Sequence, residues 1–229
     1  MTADVSSDPP GGRAIAHRLN ALLLREGLPT LTASIEDRFD AYLSLIVRWN
    51  ARTNLTAIRD EEGIVSRHFV ESIACAAAVH GSVRTLLDFG SGAGLPGIPI
   101  ALCRPEISVT LAESHNKKAA FLREAVRTLE LKTTVHGERA ENLTDVFDCV
   151  ILRAVDRMET AVSAASHLVS PFGWIMIMTT GSELLSVQKA AGSRFTWQGN
   201  VKLPSSADRI IAVGRVTPGI ESIGLGLRK

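Results

Sequence analysis

One turn constrains this chain more than any other feature: Leu86-Leu87-Asp88-Phe89-Gly90-Ser91-Gly92-Ala93-Gly94-Leu95-Pro96-Gly97. An apolar run through Val83, Leu86 and Leu87 ends in Asp88, and an apolar helical pattern follows through Ile98, Ile100, Ala101 and Leu102. Strand, glycine turn and helix in that order make a Rossmann-like nucleotide site. Glycine lets the backbone approach a ligand with no Cβ in the way, and the helix N-terminus offers unpaired N–H groups. Read from Asp88 as acidic-x-Gly-x-Gly-x-Gly, the turn points to S-adenosylmethionine (AdoMet). Read from Gly92 through Gly94 to Gly97, it also fits the dinucleotide pattern, so the turn alone does not decide the cofactor.

Around that turn the chain divides in two. Over 13–80 the apolar spacing is helical, in three stretches. The first holds Ala14, Leu19 and Leu22 to Leu24 and stops near Gly27 and Pro29. The second runs from Phe39 to Trp49, with Thr32 or Ser34 as its cap. The third runs from Phe69 to about His80. From residue 83 short β-rich runs alternate with helical ones. Strands are predicted at Val83–Phe89, Ser108–Ala112, Thr133–His136, Phe147–Leu152 and Trp174–Thr179, and helices near 95–103, 115–130 and 157–169. This alternation predicts right-handed βαβ units and a mostly parallel sheet. Phe195–Leu203 and Arg209–Val216 read as a terminal antiparallel pair. The expected organisation is a tail at 1–12, a helical subdomain at 13–80, a nucleotide-binding domain at 81–216 and a tail at 217–229.

Composition narrows the setting. Of 229 residues 45% are hydrophobic, enough for a sizeable core. No run approaches the roughly 20 apolar residues of a membrane span, and the start lacks the basic and apolar regions of a signal peptide. Three scattered cysteines, Cys75, Cys103 and Cys149, argue for reduced thiols in the cytoplasm rather than disulfides or a metal site. A net charge of +1 neither requires nor excludes nucleic acid, which needs only a local basic patch.

In a doubly wound sheet, ligands sit at the carboxyl ends of the strands. Glu113 closes the second strand at the distance where an acidic residue meets a ribose. Arg139-Ala140-Glu141-Asn142 follows the third strand, at the expected edge of an adenine. Arg153 ends the fourth, where an arginine can hold the methionine carboxylate or an acceptor phosphate. Cofactor contacts are therefore expected from Asp88, Gly90, Gly92, Gly94, Glu113 and Arg153. Candidate RNA contacts are Arg48, Arg52 and Arg67 in the helical part, and Lys117, Lys118 and Arg123 after the second strand. His68 and Trp49 read as structural residues.

The chain resembles the small-subunit ribosomal RNA guanine-N7 methyltransferases, the RsmG or GidB family, over roughly residues 35–215. The most specific segment is Asp88 to Ala101, with its Leu95-Pro96-Gly97-Ile98-Pro99 continuation. Trp49-Asn50, Asn54-Leu55-Thr56, His68-Phe69-Val70-Glu71-Ser72, Glu113-Ser114, Lys117-Lys118, Phe121-Leu122 and Leu152-Arg153-Ala154 support it. The resemblance implies a class I AdoMet methyltransferase fold and cofactor contacts at Gly90, Leu95, Ala140, Glu141 and Arg153. It also implies methylation of a guanine N7 in 16S ribosomal RNA, free or in the 30S subunit, with no metal and no membrane. Guanine N7 has a lone pair and no proton to lose, so no dedicated general base is expected. The family's lysine after the fifth strand is Thr180 here, which leaves open another acceptor or a non-catalytic RNA-binding role. Nothing in the sequence marks an oligomeric interface.

Overall fold

The computed structural model describes residues 12–204 and 206–217; the expected tails lie outside these except for Gly12 and Thr217. Two helices open the chain, α1 (Gly12–Arg25) and α2 (Ala33–Asn50). Thr32 is the N-cap of α2, but its carbonyl, not its side chain, takes the first bonds, from the Ile35 and Glu36 N–H groups. Phe39, Tyr42, Leu43, Ile46 and Asn50 recur at helical spacing and are buried, the stripe a core-facing helix requires.

The third helical stretch is longer than its apolar spacing predicts. It begins with α3 (Glu61–Gly63), widens into π-helical turns over Ile64–Phe69, and continues as α4 (Val70–Ala78). Asp60 caps its start by accepting the Gly63 N–H at 2.6 Å. Phe69, at the end of the wide turns, stacks on Tyr42 at 5.4 Å and meets Phe39 edge-on at 5.1 Å. That aromatic trio fixes α2 against the π-helical segment.

The remaining elements are β1 (Thr85–Phe89), α5 (Gly97–Cys103), β2 (Ser108–Ala112), α6 (Asn116–Thr128), β3 (Thr134–His136), β4 (Phe147–Arg153), α7 (Met158–Ser166), β5 (Val169–Thr180), α8 (Leu184–Ala191), β6 (Phe195–Trp197), β7 (Val201–Lys202) and β8 (Arg209–Val216). They build one sheet of order β3-β2-β1-β4-β5-β8-β6, with β7 also on β8. Strands β1 to β5 are parallel, and β8 is antiparallel to β5. The expected terminal pair is in fact three strands. Gly199 lies in a break between β6 and β7, and both short pieces pair with β8. β5 also starts earlier than predicted, because Val169 pairs with Phe147 before the register shifts.

Strand residues alternate between two apolar layers, as a sheet covered on both faces demands. Leu86, Cys149, Ile151 and Met176 join one core with α1, α2, α4, α5 and α6. Leu87, Val150, Leu152 and Ile175 join a second core with α7 and α8. The N-terminal helices thus complete one face of the sheet. The chain leaves β1 toward β2 on one side and later returns to β4 on the other. The crevice above β1 and β4 is therefore the topological switch point. No described helix is long and apolar enough to cross a membrane.

Candidate active site

The glycine turn is held by its own backbone and by two carboxylates. Gly90 and Ser91 both donate to the Ala112 carbonyl, at 3.0 and 2.9 Å, which ties the turn to the end of β2. Gly90 and Gly92 have φ of 75° and 56°, a left-handed backbone that glycine adopts without strain. A Cβ on Gly92 would meet only the Gly90 carbonyl, at 3.9 Å, so this glycine faces open space. Gly94 and Asp88 have inward duties instead. A Cβ on Gly94 would collide with Ile98. Asp88 is 1% exposed and accepts the Gly97 N–H at 3.0 Å, bracing α5 from below. The structure therefore gives both residues, expected among the cofactor contacts, a packing role. Leu95 is likewise 8% exposed and sits in the apolar core. The Tyr42 hydroxyl donates to the Ala93 carbonyl, joining the turn to α2.

Glu113 stands just beyond β2, where the sequence predicts it. Its Oε2 accepts the Gly92 N–H at 3.0 Å and its Oε1 accepts the His115 N–H at 2.7 Å. Each oxygen keeps a further lone pair, so the fixed carboxylate fits a vicinal diol such as the two hydroxyls of a ribose. The open face of Gly92 lies beside it. These residues fit the nucleoside part of AdoMet. Glu113→Ala is expected to weaken AdoMet binding roughly ten- to a hundredfold, the worth of charge-assisted hydrogen bonds. Isothermal titration calorimetry checks this; an unchanged Kd would take Glu113 out of the ligand site.

Beyond β3, Ala140 is buried in the second core and Glu141 is exposed in a 3-10 turn (Ala140–Asn142). After β4 the backbone is strained: Ala154 and Arg157 have φ of 48° and 52°. Val155 between them would lie 3.2 Å from a Cβ on Gly90, so this segment packs directly on the glycine turn. The sequence gives no sign of it, since neither residue is a glycine or asparagine.

Arg153 is the hub of a buried polar cluster. Its Nη2 donates to Glu71 Oε2 at 2.9 Å and to His68 Nδ1 at 2.7 Å, and its Nη1 donates to Ser72 Oγ at 3.3 Å. Glu71, 2% exposed, also holds Arg209 Nη2 at 2.7 Å from Oε1, an ion pair off the line of a hydrogen bond. Burial raises the Glu71 carboxyl above its usual range against the opposing pull of Arg153 and Arg209. Sequence reasoning gives Glu71, Ser72 and Arg209 no role. The available signal is Glu71 itself, a charge in an otherwise apolar helix, which must be paired when buried.

Thr180 ends β5 opposite Arg209 of β8, and its hydroxyl donates to Glu183 Oε2 at 3.1 Å. Among the candidate RNA contacts, Arg48 pairs with Glu124, which also accepts from Trp49 Nε1 at 2.9 Å. Arg48, Trp49, Arg52, Thr53 and Glu124 line a cavity of about 460 Å³. Arg52, Arg67 and Lys117 are exposed and Lys118 is half-buried. Arg123 is exposed and packs over Gly137, where a Cβ would overlap its guanidinium.

Two groups of the site, the buried Asp88 and the half-buried His68, give stability an opposed pH dependence. Burial raises the Asp88 carboxyl from 3.8 to about 7. It binds its proton more tightly folded than unfolded, so its contribution is greatest below pH 3.8 and fades as pH rises toward 7. Burial, then Arg153, Arg67 and Arg209, lower the His68 imidazole from 6.5 to about 3. Its contribution is present above 6.5 and is lost as pH falls toward 3. The slopes offset each other between about pH 4 and 6.5. Asp88→Asn is expected to leave the His68 slope alone, so that stability climbs with pH across that window. Urea unfolding at several pH values checks it; a wild-type slope would remove Asp88 from this balance.

Residues 35–205 match the GidB family, described as rRNA small subunit methyltransferase G. The chain belongs to that family. Among its GidB relatives, the "Ribosomal RNA small subunit methyltransferase G" of Xanthomonas oryzae pv. oryzae is 44% identical over 140 residues, 60% of this chain. The match spans 65% of that relative's length. The protein of the same name from Roseiflexus sp. is 38% identical over 193 residues, 81% of this chain and 79% of its own. Among solved structures, a SAM-dependent methyltransferase from Aquifex aeolicus superposes with a TM-score of 0.56. It is 12% identical and covers 72% of this chain and 98% of its own, a likeness of fold alone. The chain therefore has the class I methyltransferase fold that the resemblance implies.

Proposed function

We propose that this GidB-family chain transfers the methyl group of AdoMet to N7 of a guanine in 16S ribosomal RNA. Residues 13–80 serve as a helical cap over the acceptor side and residues 81–216 bind AdoMet. The 30S subunit or its RNA is the substrate, which puts the reaction in the cytoplasm. Gly90, Gly92, Leu95, Glu113, Ala140, Glu141 and Arg153 are the proposed AdoMet contacts, the buried Leu95 and Ala140 through their backbone, with Arg153 on the acceptor side.

The observation that carries the choice of acceptor atom is the state of the titratable groups around Arg153. Both ring nitrogens of His68 are hydrogen-bonded, to Arg153 and to Thr56. Asp88 is bonded to Gly97, Glu71 holds two arginines, and both Glu113 oxygens accept backbone N–H groups. Each of these groups is already engaged by the protein, and none is held as a dedicated general base. Guanine N7 has no proton to lose, whereas an exocyclic amine or a hydroxyl must lose one. When bound, AdoMet supplies a methyl already activated on a sulfonium. The chain's part is then to align N7 with it, where proximity alone contributes on the order of 7–11 kcal/mol.

The test is transfer of labelled methyl from AdoMet to 30S subunits from cells lacking such an activity. Label in 16S RNA is the expected result. AdoMet binding with no transfer would move the reading to another acceptor or to a non-catalytic role. Failure to bind AdoMet would end it.

A further inference from the structure

We propose that His68 and Glu71 are positioning residues for methyl transfer, which together hold the Arg153 guanidinium in one orientation at the crevice. This rests on the function proposed above and extends it to the N-terminal helices.

An arginine guanidinium only donates hydrogen bonds. His68 Nδ1, 2.7 Å from Arg153 Nη2, must therefore accept. The ring is then neutral, with its proton on Nε2, which donates to Thr56 Oγ1 at 2.7 Å. Thr56 is fixed in turn. Asn50 Oδ1 accepts the Leu55 and Thr56 N–H groups, and Asn50 Nδ2 donates to the Thr56 and Ile58 carbonyls. From the other side, Ser72 Oγ gives its proton to the His68 carbonyl at 2.7 Å and receives Arg153 Nη1. Glu71 adds the charge and ties Arg153 to Arg209. Three of the residues on Arg153 come from one helical run, and His68 lies in its π-helical part. Such wide turns commonly mark functional sites. A surface arginine left to itself samples many rotamers. Here the guanidinium has acceptors on both Nη nitrogens from a scaffold anchored well outside the sheet.

Two substitutions of one residue separate positioning from bulk stability. In His68→Asn the amide oxygen overlays Nδ1, so the acceptor for Arg153 survives and the link to Thr56 is lost. In His68→Gln the amide nitrogen overlays Nε2, so the link to Thr56 survives and the acceptor is lost. Transfer to 30S subunits and thermal unfolding are measured on both. His68→Gln should lose roughly ten- to a hundredfold in kcat, as a misplaced group does. His68→Asn should recover a large part of that loss, with the two melting temperatures alike. Equal kcat in the two variants, or losses that track the melting temperature, would overturn the proposal.

A second readout does not depend on activity. In nitrogen-15 spectra the Arg153 guanidinium should show separate, slowly exchanging Nη signals in the wild type and in His68→Asn, and averaged ones in His68→Gln. Averaged signals in the wild type would sink the inference whatever the enzyme does. A wild type that binds AdoMet but labels no RNA, with Arg153 rigid, would instead count against the acceptor reading alone.

Discussion

Gly97→Ala is expected to be among the most damaging single changes in the chain, although it adds one methyl group. That methyl would overlap the Leu111 side chain and lie 2.5 Å from Asp88 Oδ2 and 2.9 Å from Asp88 Cβ. Asp88 has nowhere to go, being 1% exposed in the central strand. Overpacking of this kind costs about 1–3 kcal/mol. Pushing Asp88 off the Gly97 N–H leaves a buried acceptor and a buried donor unpaired, about 1–3 kcal/mol more. The sum is a large share of the ~5–15 kcal/mol that holds an ordinary domain together. A fall of several kcal/mol in urea unfolding is the expected result, and a loss below 1 kcal/mol would contradict it. Gly92→Ala is the companion measurement. Its methyl meets open space, so the fold should lose only the ~1–2 kcal/mol of a left-handed non-glycine, while AdoMet affinity falls.

Glu71→Ala should be comparably severe for a different reason. It removes the carboxylate shared by Arg153 and Arg209, whose side chains are 12% and 23% exposed. Breaking a buried ion pair from one side typically costs about 3–5 kcal/mol, because the remaining charge stays desolvated. Glu71→Gln keeps the volume and an acceptor and should cost less. If alanine and glutamine variants unfold at the wild-type urea midpoint, the cluster does not hold the helices to the sheet.

The β/α half of the chain was legible because both of its signals are local. The glycine turn announces itself at Gly90 to Gly97, and short β-rich runs end at Phe89, Ala112 and Leu152. The place of Glu113, one residue beyond β2, was legible from spacing. The arginine cluster was legible only in part. Arg153 is marked by its place after β4, but its partners come from a helix far earlier in the chain and from a late strand, and no local pattern encodes those distances. The π-helical turns over Ile64–Phe69 were missed because they shift the apolar spacing by one residue, so the third helix reads as starting at Phe69. Asp88 and Gly94 have the residue types a nucleotide loop uses, but what they touch is inside the loop. Only packing distinguishes a glycine that faces open space, such as Gly92, from one that admits a neighbouring isoleucine, such as Gly94.

The proposed product is N7-methylguanine in 16S RNA. The most direct measurement is chemical cleavage at N7-methylguanine. The substrate is 16S RNA from enzyme-deficient 30S subunits, after incubation with the chain and AdoMet. One new cut is expected, at a single guanine, absent without AdoMet. Methyl label in the RNA with no cut would contradict it.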